Sequence, residues 1–243
     1  MRPLLLLYLV CLFSSNLLVS QPNSIDKNPD YYSVLDSFSK EENRSIYNGL
    51  EYFDIYRCWD TDNNKFYQSY NFFNGTVVYA GEPYFNLKLK YNLLDDLIIL
   101  EFVNKKVNYL QLNSSMVESF FLGDSKFVRL TINEGLSSFY GNGFFKEIHN
   151  ATSKYKLYVK LKKEKHKIIK DNKLYYKFSE KATYVLCFED QFFKINSKKD
   201  LVKAIPIRKK EIQTFYNKNN RLYKTDKELF YEKLFNQLNN LEK

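Results

Sequence analysis

A rhythm constrains this chain more than any single motif. From Asn74 onward, short apolar segments recur between turn signals eight to twelve residues apart, which is the pattern of an antiparallel meander. Residues 76–80 read as a first strand, closed by the turn Ala80-Gly81-Glu82-Pro83. In 84–91, Phe85, Leu87, Leu89 and Tyr91 alternate with Tyr84, Asn86, Lys88 and Lys90, so one face is apolar and the other polar. Strands are expected at 97–103, 107–112, 116–122 and 126–132, with turns at 92–96 and 104–106. No helix-length crossover fits between them, which excludes βαβ winding and predicts an antiparallel sheet. A loop at 135–143 precedes strands at 143–148 and 155–161, and a hairpin joins 184–188 to 191–195 across Glu189-Asp190.

The last fifty residues change period. Ser197 with Asp200 is suited to cap a short helix that Pro206 ends, and 209–216 reads as a second helix. Thr225 and Glu228 form a capping box, after which Phe230, Leu234, Leu238 and Leu241 recur at helical spacing, with Tyr231 and Phe235 widening the stripe. The expected fold is therefore α+β: an antiparallel β-meander over 51–196, an open sheet or half-barrel, followed by a small helical appendage over 197–243. Aromatic residues make up 18% of the chain, with 21 Tyr and 21 Phe, and this favours strands.

The N-terminus reads as an export signal over residues 1–20. Arg2 supplies the positive charge, an apolar run extends from Leu4 to Phe13, and Leu18-Val19-Ser20 ends in a small residue ahead of Gln21. Ser14, Ser15 and Asn16 interrupt the run short of the ~20 apolar residues that a membrane span needs. Val10 ahead of Cys11 argues against a lipoprotein signal. Residues 21–50 are rich in turn formers and are expected to be a polar leader. Export implies an oxidising compartment, in which Cys58 and Cys187 are available to pair. The alternative for Cys187, within Tyr184-Val185-Leu186-Cys187-Phe188, is a buried strand thiol.

The formal charge is +9, and loss of Arg2 with the signal lowers it by one. Outside the cytoplasm such a protein meets anionic lipid, acidic polysaccharide or acidic protein rather than nucleic acid. The charge is concentrated. Lys154, Lys156, Lys160 and Lys162 alternate with Tyr155, Leu157, Val159 and Leu161, and Lys163, Lys165, Lys167, Lys170 and Lys173 follow, with only Glu164 and Asp171 to offset them. This run is the candidate contact with an anionic envelope surface or with another envelope protein. Its alternative is a solvated charge run or an edge protected against aggregation.

Catalytic and metal signals are weak. His149 and His166 have no partner at metal-ligand spacing, so no cofactor is expected. The pairs Asp95-Asp96 and Glu189-Asp190 have the side chains of a glycosidase but sit where acidic residues commonly make turns. Asn43, Asn74, Asn113 and Asn150 head N-x-S/T sequons, which matter only in a eukaryotic secretory pathway.

Gly75-Thr76-Val77-Val78-Tyr79, then Leu89-Lys90-Tyr91-Asn92-Leu93-Leu94-Asp95-Asp96 and a Leu-Ile-Ile-Leu-Glu strand, resemble the core of a group of uncharacterised exported bacterial proteins, with Lys90 standing where that group has Arg. The tail segments Ser197-Lys198-Lys199-Asp200-Leu201, Lys209-Lys210-Glu211-Ile212 and Thr225-Asp226-Lys227-Glu228-Leu229 are similar to the same group, so the resemblance covers about 74–240. It implies a Gram-negative cell envelope and a β-then-α architecture, and it transfers no functional residue. The leading expectation is an exported, non-enzymatic protein with a binding or structural role. The alternatives are a barrel-like carrier of an apolar ligand, distinguished by a void behind Phe85, Leu87 and Leu89, and an envelope hydrolase whose carboxylates converge from distant segments. Strands of five to eight residues and a C-terminal helix argue against a transmembrane barrel.

Overall fold

The structure, a computed structural model, describes residues 45–241 except 59, 61, 105, 131–142 and 149–152. The expected signal, most of the leader, His149, and the sequons at Asn43 and Asn150 lie outside the described residues. Asn74 and Asn113 are exposed. Eleven strands form one antiparallel sheet: β1 Leu50–Glu51, β2 Phe73–Tyr79, β3 Glu82–Asn92, β4 Leu97–Asn104, β5 Lys106–Gln111, β6 Val117–Leu122, β7 Ser125–Leu130, β8 Gly143–Glu147, β9 Tyr155–Lys170, β10 Lys173–Phe188 and β11 Gln191–Ile195. Their order is β1-β5-β4-β3-β2-β6-β7-β8-β9-β10-β11, an open meander as the turn rhythm predicts. The sheet curls strongly: Tyr91 of β3 reaches Phe144 of β8, ring to ring at 6.1 Å, although β2, β6 and β7 lie between them in the sheet. Phe120 and Phe127, stacked at 4.8 Å, fill the curl.

Four helices follow, α1 Lys198–Ala204, α2 Lys209–Lys218, α3 Asn220–Thr225 and α4 Lys227–Asn240. Ser197 and Asp200 form the expected capping box of α1. The cap of α4 is Asp226 rather than Thr225: the Asp226 carboxylate accepts the Leu229 N–H at 2.9 Å, while Thr225 closes α3 by donating to the Arg221 carbonyl. Leu201, Ile212, Phe215, Phe230, Leu234, Phe235 and Leu238 share one buried cluster with Leu87, Leu89, Tyr91 and Leu157 of the sheet. The helical appendage is thus packed on the sheet and forms a wall of its core. The core also reaches into the expected leader, because Ile46, in a 3-10 turn at Ser45–Tyr47, is fully buried in it.

Two strands depart from their simple alternation. In β3, Gly75 faces Leu87 and Val77 faces Tyr84, so Phe85 and Asn86 together oppose Thr76 alone. This is a β-bulge, with Asn86 at φ 55°. The extra residue returns Tyr84 to the core face, where the alternation had placed Phe85. In β9 the strand runs on through the lysine-rich segment to Lys170 and pairs along its whole length with β10 across Asp171-Asn172. Both turn residues have positive φ, 50° and 56°, as the right-handed twist of a two-residue hairpin requires. Glu189 and Asp190 repeat the same geometry in the β10–β11 turn.

Cys58 and Cys187 do not pair; both thiols are free. Cys58 bridges to Tyr176, eleven residues before Cys187 on β10. At ~3.3 Å per residue that interval is several times the ~7 Å limit between Cα atoms for a disulfide. Burial raises the pKa of both thiols.

Candidate functional site

The lysines at 154–167 do not form one surface, because strand period sends alternate residues to opposite faces and each face meets a different neighbour. Lys160 is buried; its ammonium donates to Asp96 at 2.7 Å and to the Phe144 carbonyl at 3.0 Å. Lys163 donates to the carbonyls of Asn64 and Phe66 at 2.8 and 2.7 Å. Burial lowers the pKa of both. Lys165 donates to the Tyr56 hydroxyl and lies over its ring. Lys154 sits near the rings of Tyr155 and Phe188. Lys156 is half-buried, and Lys154, Lys162, Lys165 and Lys167 are the exposed members of the expected set.

What the run builds is a β-arm. β8 pairs with β9 only at Val159 and Tyr158, and β11 pairs with β10 only from Tyr184 onward, so the hairpin between 162 and 181 extends past both neighbours. It is held along both edges: Lys163 of β9 donates its backbone N–H to the Leu93 carbonyl at 3.0 Å, and Arg57 and Asn63 lie along β10. Tyr176 donates its N–H to Arg57, and the Asn63 amide exchanges two hydrogen bonds with the backbone of Phe178, at 2.8 and 2.6 Å, as a neighbouring strand would. The tip carries Ile169, 78% exposed, opposite Leu174, 44% exposed, among the exposed Lys167, Lys170, Lys173 and Lys177. His166 is exposed and shares a hydrogen bond with Ser179.

A second site lies on the outer face of β3 and β4, under the strap formed by residues 52–58 and 62–72. Phe66 bridges to Asn92, and the backbone of 65–67 hydrogen-bonds to that of Tyr91 and Leu93, which carries the strap along the free edge of β3. Lys65 is buried there against Asp54 at 2.6 Å, with the ring of Tyr56 at 4.8 Å. Lys90 lies beneath Tyr70 and Phe72 at 4.2 Å each and Phe66 at 4.9 Å. An open pocket of about 230 Å³ reaches it, walled by Phe53, Phe66, Tyr70, Phe72 and Tyr109. The buried hydroxyl of Tyr52 makes no well-aligned hydrogen bond among the described residues, and burial raises its pKa. Sequence reasoning missed this site. Its signal is the crowding of Tyr52, Phe53, Tyr56, Phe66, Tyr67, Tyr70 and Phe72 into a stretch with no strand period.

Carboxylates from distant segments do meet, in a groove of about 620 Å³ lined by Lys146, Glu180, Asp226, Glu228 and Glu232. Three of them are engaged in contacts within the fold. Asp226 caps α4, Glu228 pairs with Lys146 at 2.5 Å, and Glu180 lies 3.9 Å from Lys163. Of the sequence pairs, Asp95 accepts from Asn92 at 2.9 Å and Asp96 from Tyr91 and Lys160, while Glu189 and Asp190 are exposed turn residues. Among the described residues no group of three His, Cys, Asp or Glu is placed to hold a metal ion. No model of a known protein family, no characterised protein and no solved structure matches the chain.

Proposed function

We propose that the protein is an exported, non-enzymatic protein of the cell envelope that docks on an anionic lipid surface through the tip of the β9–β10 arm. The observation that carries this reading is the pairing of exposed Ile169 and Leu174 at the end of a hairpin whose residues 162–181 hold eight lysines against three acidic residues. An apolar tip inside a basic collar suits a headgroup layer: the side chains enter the interface while each nearby Lys adds about 1 kcal/mol of attraction to anionic lipid. The reading of the N-terminus as an export signal supplies the compartment. No described helix is long and apolar enough to cross a membrane. A carrier holding its ligand behind the sheet finds less support, since Leu87 and Leu89 are packed in the core under the helices.

Co-sedimentation of the full chain with vesicles tests this. Vesicles of phosphatidylglycerol and phosphatidylcholine should carry the protein down at low salt and release it at high salt, and vesicles of phosphatidylcholine alone should not. The double variant Ile169→Ser, Leu174→Ser should bind several-fold more weakly with unchanged thermal stability. Equal binding to both vesicle types, or wild-type binding by Lys167→Glu, Lys173→Glu, would reject the arm as a lipid contact.

A further inference from the structure

Lys65 and Lys90 share one aromatic nest, and among the described residues an ion pair reaches Lys65 but not Lys90. Asp54 gives its Oδ1 to Lys65 at 2.6 Å, and its Oδ2 lies 3.4 Å from the Tyr70 hydroxyl. Lys90, 8% exposed, has no described carboxylate within 4 Å and no hydrogen bond to a described residue; its ammonium meets rings alone. A buried ammonium without an anion is costly, and ring faces offset only part of the lost hydration. The nearest acid along the same face of β4 is Glu101, which stands opposite Lys88 in the register, one step further along β3.

The geometry points to the pocket over Lys90 as a binding site for a small carboxylate borne on a flat apolar body, such as an aryl carboxylate. The anion would complete the charge pairing that Asp54 completes for Lys65. The body would lie against Phe72 and Tyr109, whose rings stack at 5.3 Å with 18° between their planes. Size and lining narrow the class. At about 230 Å³ the pocket is smaller than the roughly 300–1,000 Å³ that holds a drug-sized ligand. Phe53, Phe66, Phe72 and Ile99 give the pocket apolar walls for such a body, and Tyr52, Asp54, Tyr70 and Tyr109 line it beside them. Burial, and then the neighbouring Lys65, lower the pKa of Lys90 against the opposing pull of Asp54 and Glu101, and a bound carboxylate would act in the opposite direction. The position is distinct from the arm tip, so the two proposals stand or fall separately.

The test is a titration of the full chain with benzoate, benzyl alcohol and benzylamine, followed by ligand-observed NMR and calorimetry. Benzoate should bind at least ten-fold tighter than benzyl alcohol, and benzylamine should not bind. Lys90→Met, which keeps the length of the stem without the charge, should abolish that preference, and Tyr109→Ala should weaken both neutral and anionic probes. The arm double variant should bind benzoate as the wild type does. A wild type that does not prefer benzoate overturns the assignment, as does a folded Lys90→Met that keeps the preference. If Lys90→Met does not fold, Tyr109→Ala decides: unchanged benzoate affinity in that variant places the binding elsewhere and overturns the site.

Discussion

The ammonium of Lys160 on β9 lies 2.7 Å from the carboxylate of Asp96, in the turn between β3 and β4, and this contact closes the curl of the sheet across β2, β6, β7 and β8. The Tyr91 hydroxyl donates to the other Asp96 oxygen, so one carboxylate serves a tyrosine of the core and a lysine whose side chain is 8% exposed. Asp96→Ala would leave the Lys160 ammonium buried with only the Phe144 carbonyl, and a loss of about 3 kcal/mol is expected. Asp96→Asn should lose less, because an amide oxygen still accepts from Tyr91 and Asn tolerates the φ of 59° at this position. Urea unfolding of the two variants measures both, and a loss below about 0.5 kcal/mol for Asp96→Ala would remove the contact from any account of stability.

Gly143 is where this contact sets a residue type. A Cβ at that position would lie 1.9 Å from Asp96 Oδ2 and 2.7 Å from Lys160 Nζ, so Gly143→Ala must displace the pair. A destabilisation of about 2 kcal/mol is expected, in the range for overpacking. In an Asp96→Ala background the same change should cost less, though the approach to Lys160 at 2.7 Å and the φ of 158° remain, and a double-mutant cycle in urea shows how far the two effects overlap.

Every strand but the two-residue β1, and the turns between them, were legible because they depend on local chemistry: Ala80-Gly81 and Glu189-Asp190 turn where positive φ is needed, and Ser197-Asp200 caps a helix with its own side chains. The bulge at Phe85-Asn86 was not, since strict alternation fits that segment equally well until a partner strand imposes its register. The lysine run misled for a related reason. A strand that is polar on both faces resembles a loop until Tyr56 and Asn63, more than a hundred residues away in sequence, are seen against it. The Lys90 pocket depends on a strap crossing β3, and neither periodicity nor a motif records such a crossing.

Phe235 on α4 is fully buried and faces the Tyr155 ring of β9 at 6.4 Å. If the helices are a wall of the core, Phe235→Ala should lower stability by about 3–5 kcal/mol. It should also shift the whole unfolding transition with its slope intact, with near-UV signals of the sheet and far-UV signals of the helices moving together. A separate early transition of the helices would show two units in place of one.

Alkaline pH should reveal how much of the aromatic content is buried. Burial pushes the Tyr158 hydroxyl up to about 12 and raises Tyr91, Tyr184, Tyr216 and Tyr231 as well. A pKa raised on folding gives stability that is complete below the unfolded value of about 10 and is lost as pH climbs through the folded value. Above pH ~10 each such tyrosine therefore removes up to about 1.4 kcal/mol per pH unit. Lys90, Lys160 and Lys163 act with the opposite sign: burial lowers their pKa, so stability rises with pH from their folded values toward the unfolded value of about 10.4. The two sets together predict a stability that climbs through mildly alkaline pH and collapses steeply above about pH 10.5. Urea midpoints measured across that range, with tyrosinate absorbance followed in parallel, check it. The absorbance of these tyrosines should appear with unfolding, and tyrosinate that forms near pH 10 in the folded protein beyond the share of its exposed tyrosines would contradict their burial.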